Sequence, residues 1–213
     1  MDGAFRAIVS RGHRIGTVID IGASNGAWSR SLMPFLPASR YLLIEAQPLH
    51  DAALRDFCAS HAQAEYVLAA AGDREGTIHF DTSDPLGGLA SETAFAANDV
   101  VVPMVTVDAT VAARRLPGPY LLKFDTHGFE LPILRGSTAT LQETDVVVME
   151  CYNFHIAPEA MTFDAMCAHM RTLGFRCIDL VCPLHRPYDD AFWQADLVFV
   201  RSDRPEFTHL GYR

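Results

Sequence analysis

The sequence lacks the features that would tie a chain to a membrane or to an anionic polymer. No stretch approaches the roughly 18 consecutive apolar residues that a membrane helix needs. The first sixteen residues carry scattered Arg and Ala but no apolar signal segment. Basic residues are outnumbered and unclustered: 17 Lys and Arg stand against 26 Asp and Glu, a formal charge of −9. Such a surface repels phosphate backbones and anionic lipid, so neither nucleic acid nor a membrane is the expected partner. Cysteine is sparse as well. The five (Cys58, Cys151, Cys167, Cys177 and Cys182) form no CxxC pair. Their odd number and apolar surroundings predict reduced thiols, not a disulfide framework. From these absences a cytosolic location is expected. No GxxxxGK[ST] occurs, which excludes a P-loop.

What is present is ordinary globular material. The 213 residues are 49% apolar and 20% charged, enough for one sizeable core, and 1–213 reads as a single domain. Short apolar runs alternate with helical patterns. Strands are predicted at 17–21, 41–45, 65–70, 120–124 and 145–149, with an added strand at 76–80. Helices are predicted over 28–36, 49–62 and 163–173. The run 100–107 is strand-like, but Pro103 assigns it to an edge. Two strands, 175–180 and 195–200, close the chain without a helix between them, which predicts an antiparallel hairpin. The whole is an α/β fold: a mostly parallel, seven-stranded Rossmann-like sheet with helices on both faces. The stretch 81–99, long and rich in small polar residues, is either a lid over the site or a plain surface loop.

The first strand runs into Asp20-Ile21-Gly22-Ala23-Ser24-Asn25-Gly26, and a helix follows. On such sheets ligands sit beyond the carboxyl ends of the strands. The two glycines allow a tight turn and close backbone approach, and a helix N-terminus then faces the ligand. A dinucleotide fingerprint would need further glycines at Ser24 and Ala27. The four-residue glycine spacing suits the looser motif of S-adenosylmethionine enzymes instead. Glu45, at the end of the second strand, can accept bonds from both ribose hydroxyls. The candidate cofactor residues in the first loop are Asp20, Gly22, Ala23, Ser24, Asn25 and Gly26. Glu45 and Ala46 join them from the second strand, and Ala71 and Asp73 follow the third. Asp125 stands at the methyl end. Trp28 and Trp193 read as core.

The fourth strand ends in Lys123-Phe124-Asp125-Thr126-His127-Gly128-Phe129-Glu130, and the fifth in Glu150, with Tyr152, Asn153 and His155 close behind. With these blocks in view the sequence resembles the FkbM-type methyltransferases, over Val18 to Val200. The markers are the first glycine loop, Glu45 with Pro48, Ala71-Gly72-Asp73, Thr106-Val107-Asp108 and the strand-four block running to Gly136. Phe192-Trp193-Gln194-Ala195-Asp196 with Val198-Phe199-Val200 closes the match. The chain departs from the family pattern twice: Pro48 lies two residues beyond the usual Glu-Pro, and His127 occupies a position often held by Glu or Gln. The resemblance implies a class I methyltransferase fold, S-adenosylmethionine as cofactor, and commonly O-methylation of sugars or secondary metabolites.

Methyl transfer to an alcohol needs a group that takes the hydroxyl proton. His127 is the first choice, because an ordinary imidazole titrates near neutral pH. Asp125 would orient it or contact the acceptor, and Glu150 is the alternative base. The same three could ligate a divalent ion, but their spacing is not diagnostic, and a metal is not favoured. The competing classes are a non-catalytic module on the same fold and an NAD-dependent oxidoreductase. The glycine loop with Glu45 weighs against the first, and the glycine spacing against the second.

Overall fold

Adjacent side chains on a strand point to opposite faces, and in the central strands both faces are apolar, so these strands demand cover on two sides. The computed structural model, which describes residues 1–158 and 160–213, meets that demand. In chain order the elements begin with α1 (Asp2–Ser10), β1 (Thr17–Ile21), α2 (Ala27–Leu32), β2 (Arg40–Glu45), α3 (Asp51–Ser60) and β3 (Ala64–Leu68). Then come β4 (Ala70–Ala71), β5 (Gly76–Asp81), β6 (Leu89–Ser91), β7 (Asp99–Val105), α4 (Val107–Arg114) and β8 (Tyr120–Phe124). The chain closes with α5 (Glu130–Arg135), α6 (Thr138–Gln142), β9 (Thr144–Tyr152), α7 (Phe163–Thr172), β10 (Phe175–His185) and β11 (Phe192–Arg201).

Seven strands form the main sheet in the order β10-β11-β9-β8-β1-β2-β3. The pairs among β3, β2, β1, β8 and β9 are parallel, and β11 is antiparallel to both its neighbours. Val18, Leu43, Leu121, Val148 and Val198 pack towards Phe5 and Ile8 of α1, Leu32 of α2 and Phe57 of α3. Their strand neighbours Ile19, Leu42, Leu122, Val147 and Leu197 pack on the other face, with Val111 of α4, Ile133 of α5, Leu141 of α6 and Met166 of α7. The helix α1 was not legible as such in the sequence. Its apolar Ala4, Phe5 and Ile8 are buried against the sheet, while its other face mixes Asp2, Arg6 and Ser10 with an exposed Val9.

Two expectations are refined. The run predicted as one strand over 65–70 divides: β3 ends at Leu68, and Ala70–Ala71 leave to start a second sheet of order β4-β7-β5-β6. In that sheet β7 lies between β4 and β5, not at an edge. Pro103 is nonetheless tolerated, because β4 pairs only with Met104 and Val105, so beside Pro103 one flank of β7 is still open. Within 81–99, β6 pairs antiparallel with β5, and the chain between them, 82–88, returns towards the carboxyl edge of the main sheet.

Candidate functional site at the carboxyl edge of the sheet

The carboxyl ends of β1, β2 and β8 bound a cavity of about 250 Å³. Its floor is the glycine loop. Gly22 has φ 75°, and a Cβ there would lie 1.9 Å from the Asp125 carbonyl oxygen, so no other residue fits between β1 and β8. Gly26, at φ 78°, starts α2. The backbone N–H groups of Gly22 and Ala23 both donate to the Ile44 carbonyl, at 2.9 and 3.2 Å, which fastens the loop to β2. Glu45 is 6% exposed. Its Oε2 accepts from the Ser24 N–H at 2.6 Å and its Oε1 from the Gln47 N–H at 2.7 Å. The carboxylate is therefore held rigidly at the cavity wall, with lone pairs left for a ligand. Ala46 and the small side chains of Ala69, Ala70 and Ala71 complete a flat apolar wall.

The other cofactor candidates lie off this wall. Asp20 is fully buried behind the loop, where it accepts from Ser29 Oγ at 2.7 Å and lies 3.4 Å from Lys123 Nζ. Burial raises its pKa, against the pull of the lysine. Asn25 accepts from the Ala27 N–H at 3.1 Å and so tightens the turn into α2, whose N-cap is Gly26, while Ala23 lies within the same turn. Asp73 faces outwards in ion pairs with Arg74 and Arg135.

Asp125, His127 and Leu86 border both this cavity and a second, more open one of about 450 Å³. Asp84, Glu150, Gln194, Tyr152 and Trp193 line the second cavity. Trp193, expected in the core, is thus a wall residue, packed edge-on against Tyr152 and stacked on Phe154 at 5.2 Å. Trp28 does pack with the core, edge-on to Phe5. Between the cavities runs the strap 84–86. Three consecutive carbonyls hold it down: Asp84 on Gln47 Nε2 at 2.7 Å, Pro85 on His50 Nε2 at 2.8 Å, and Leu86 on His127 Nε2 at 3.0 Å. Gln47 and His50 carry no motif signature, and their partners are backbone atoms 35 to 37 residues away. Sequence reasoning had no signal for them.

His127 sits in the left-handed region, at φ 49°. Its Nε2 can only donate to the Leu86 carbonyl. Its Nδ1 is 2.8 Å from the Tyr152 hydroxyl, whose own proton goes to Glu150 Oε1. The tyrosine oxygen must then accept from Nδ1, so both ring nitrogens carry hydrogen and the ring is an imidazolium. Burial opposes that charge. The bond towards Glu150, the charges of Asp125 and Glu150 and the Leu86 carbonyl outweigh it and hold the pKa up at about 9. Glu150 is braced by Gln194 Nε2 on its other oxygen. Asp196, opposite Glu150 in the β9–β11 register, is pushed up to about 6 by burial and by the charges of Glu150 and Asp125. Ligand atoms of Asp125, His127 and Glu150 lie within 4.8 Å of one another, a spacing that a metal ion would tolerate.

The strand order and the site geometry can be set beside known proteins. Over residues 20–177 the chain matches the model of the FkbM methyltransferase domain. Among solved structures it is similar to an FkbM methyltransferase from Methylobacillus flagellatus KT (TM-score 0.57, 15% identity), covering 87% of this chain and 43% of that one. The chain thus spans about two-fifths of that protein's length. It is also similar to the fibrillarin pre-rRNA processing protein of Methanococcus jannaschii (TM-score 0.55, 12% identity, 89% and 67% covered). An rRNA methylase of Streptococcus thermophilus gives a TM-score of 0.53 at 10% identity, with 93% and 94% covered. At these identities the solved structures attest the fold alone. No curated protein sequence matches the chain. The match over residues 20–177 spans the glycine loop, Glu45 and the strand-four block, and by it this chain belongs to the FkbM methyltransferase family.

Proposed function

We propose that the protein transfers a methyl group from S-adenosylmethionine to a hydroxyl of a small acceptor, a sugar or a secondary metabolite. The observation that supports this most directly is the meeting of two unlike cavities at Asp125 and His127. The loop at Gly22, Glu45 and the wall from Ala69 to Ala71 would hold the cofactor, with Glu45 on the ribose hydroxyls. Bound there, the cofactor supplies an electrophilic methyl on a sulfonium. The protein contributes placement and proton handling.

Asp125 borders both cavities, with Oδ2 held by Lys123 at 2.9 Å. Its Oδ1 takes the proton of the acceptor hydroxyl. His127 Nε2 lies 3.6 Å from that oxygen and steadies the acceptor oxygen as negative charge grows on it. The roles expected from the sequence are thereby exchanged: an imidazole that titrates near 9 and donates from both nitrogens is a poor base at neutral pH. Glu150, bonded by Tyr152 and Gln194, keeps His127 charged and oriented. A metal is not part of this reading, because a ring nitrogen that donates to a carbonyl is not free to ligate.

Three carboxylates, from Asp84, Asp125 and Glu150, face the second cavity, and no Lys or Arg does so among the described residues. The acceptor is therefore neutral or cationic, neither a phosphate ester nor a nucleic acid. A cytosolic setting and a one-domain organisation belong to the same proposal, the former in keeping with five unpaired cysteines. The test is methyl transfer from S-adenosylmethionine across a panel of hydroxylated acceptors, with and without chelator, beside thermal shifts with S-adenosylhomocysteine and NAD. Stabilisation by S-adenosylhomocysteine with chelator-resistant turnover is expected. Stabilisation by NAD alone overturns the proposal. Binding without turnover on any acceptor transfers it to a non-catalytic module, and activity lost to chelator and restored by Mg²⁺ transfers it to a metal.

A further inference from the structure

Lys123 is the only lysine in the sequence; every other basic side chain apart from histidine is arginine. It stands at the carboxyl end of β8 and is 3% exposed. An ammonium taken out of water is costly unless it is paired and hydrogen-bonded. Its pairing here is uneven. Nζ lies 3.4 Å from Asp20 Oδ1, which has no hydrogen-bond partner. It donates instead to Asp125 Oδ2 at 2.9 Å and to the Gly22 carbonyl at 3.2 Å. Asp20 thus supplies buried counter-charge, while the directed bonds go to the glycine loop and to the carboxylate that borders both cavities. Burial disfavours the ammonium, but Asp20 and Asp125 hold its pKa above the ordinary lysine value. A lysine suits this task better than arginine, because a compact ammonium can serve three partners in a space where a planar fork would not turn.

We propose that Lys123 is a positioning residue: its ammonium locks Oδ2 of Asp125 to the Gly22 carbonyl, so that Oδ1 alone is presented to the acceptor, in fixed register with the cofactor loop. This rests on the reading of Asp125 as the proton acceptor. Lys123 lines neither cavity itself; it acts from behind the wall, through Asp125 and Gly22.

Replacing the lysine alone would strand Asp20 in the interior, so the informative variant is Asp20→Asn combined with Lys123→Met, which removes both buried charges. Its melting temperature reports whether the fold is kept. The expectation is a kcat at least ~30-fold below wild type, with acceptor KM and the affinity for S-adenosylhomocysteine within about 3-fold. A purely structural role would lower affinity and turnover together. An independent reading comes from protein labelled with ¹⁵N at lysine Nζ, where one lysine gives one resonance. Asp125→Asn should move that resonance and speed its hydrogen exchange; an unmoved signal overturns the pairing. Full turnover by the double variant, beside an impaired Asp125→Asn, overturns the positioning role alone. Full turnover by Asp125→Asn defeats the base assignment on which the inference rests.

Discussion

Two side chains carry most of what is testable at the scale of the residue. Glu45 is fixed by two backbone N–H groups before any ligand arrives, so its remaining lone pairs are preorganised. Glu45→Ala should weaken S-adenosylhomocysteine binding by roughly 1.5–3 kcal/mol, the usual worth of hydrogen bonds to a charged group, as read by calorimetry. His127 makes a prediction of sign. If it works as a cation, kcat holds through neutral pH and falls as the pH climbs through about 9, where the proton leaves. A histidine acting as base would give the opposite, a rate rising towards 9. His127→Asn should abolish the alkaline limb. The same proton stabilises the fold. Because the folded pKa is raised from 6.5 to about 9, the contribution is complete below about pH 6.5 and is lost as pH rises through 9. It amounts to about 3 kcal/mol at most. Denaturation of wild type and His127→Asn from pH 6 to 10 should show a stability gap that closes with rising pH.

At the scale of the element, the strap 84–86 stands out. It is held by Gln47 and His50, both from the turn after β2, and by His127 after β8, and each bond ends on a strap carbonyl. No apolar side chain anchors it comparably: Leu86 is 72% exposed. Three hydrogen bonds at about 1 kcal/mol each make a contact that opens locally without unfolding the sheet. If the 81–99 segment acts as a lid, these three bonds are the ones that must open. Limited proteolysis within 81–99 should be slowed by S-adenosylhomocysteine, sped by His50→Ala, and sped again in the wild type above pH 9, when His127 loses its proton. Equal cleavage under all these conditions would remove the lid.

At the scale of the whole molecule, the charge distribution makes the proposed choice of acceptor testable. The chain carries −9, and the second cavity adds carboxylates where an acceptor would enter. No helix is long and apolar enough to cross a membrane among the described residues. A phosphorylated analogue of any accepted substrate should show a kcat/KM at least ~10-fold below the neutral parent at low salt. The gap should narrow at higher ionic strength, as screening shortens the reach of the negative field. An analogue turned over equally well at low salt would show that the entrance charge plays no part in selection.

The sequence by itself determined the parts that depend on neighbours along the chain. Strand and helix periodicity, the turn at Gly22 to Gly26, Glu45 at a strand end, the Asp125–His127 block and the helix-free closing hairpin are all local patterns. They stand where they were expected, except that the strand over 65–70 divides and the helix over 28–36 ends at Leu32. The tertiary structure decided what depends on contacts across 20 to 100 residues. The split at Ala69 and the second sheet depend on which partner edge Ala70 and Ala71 reach, since two alanines pair equally well with either sheet. The strap is held through backbone carbonyls, which every residue possesses, so no side-chain pattern announces it. Lys123 reads as one more strand residue until Gly22, 101 positions away, is brought to its ammonium. The charge on His127 follows from Tyr152, Glu150 and Leu86 converging on one ring: a pKa belongs to the surroundings of a group, and folding alone assembles those surroundings.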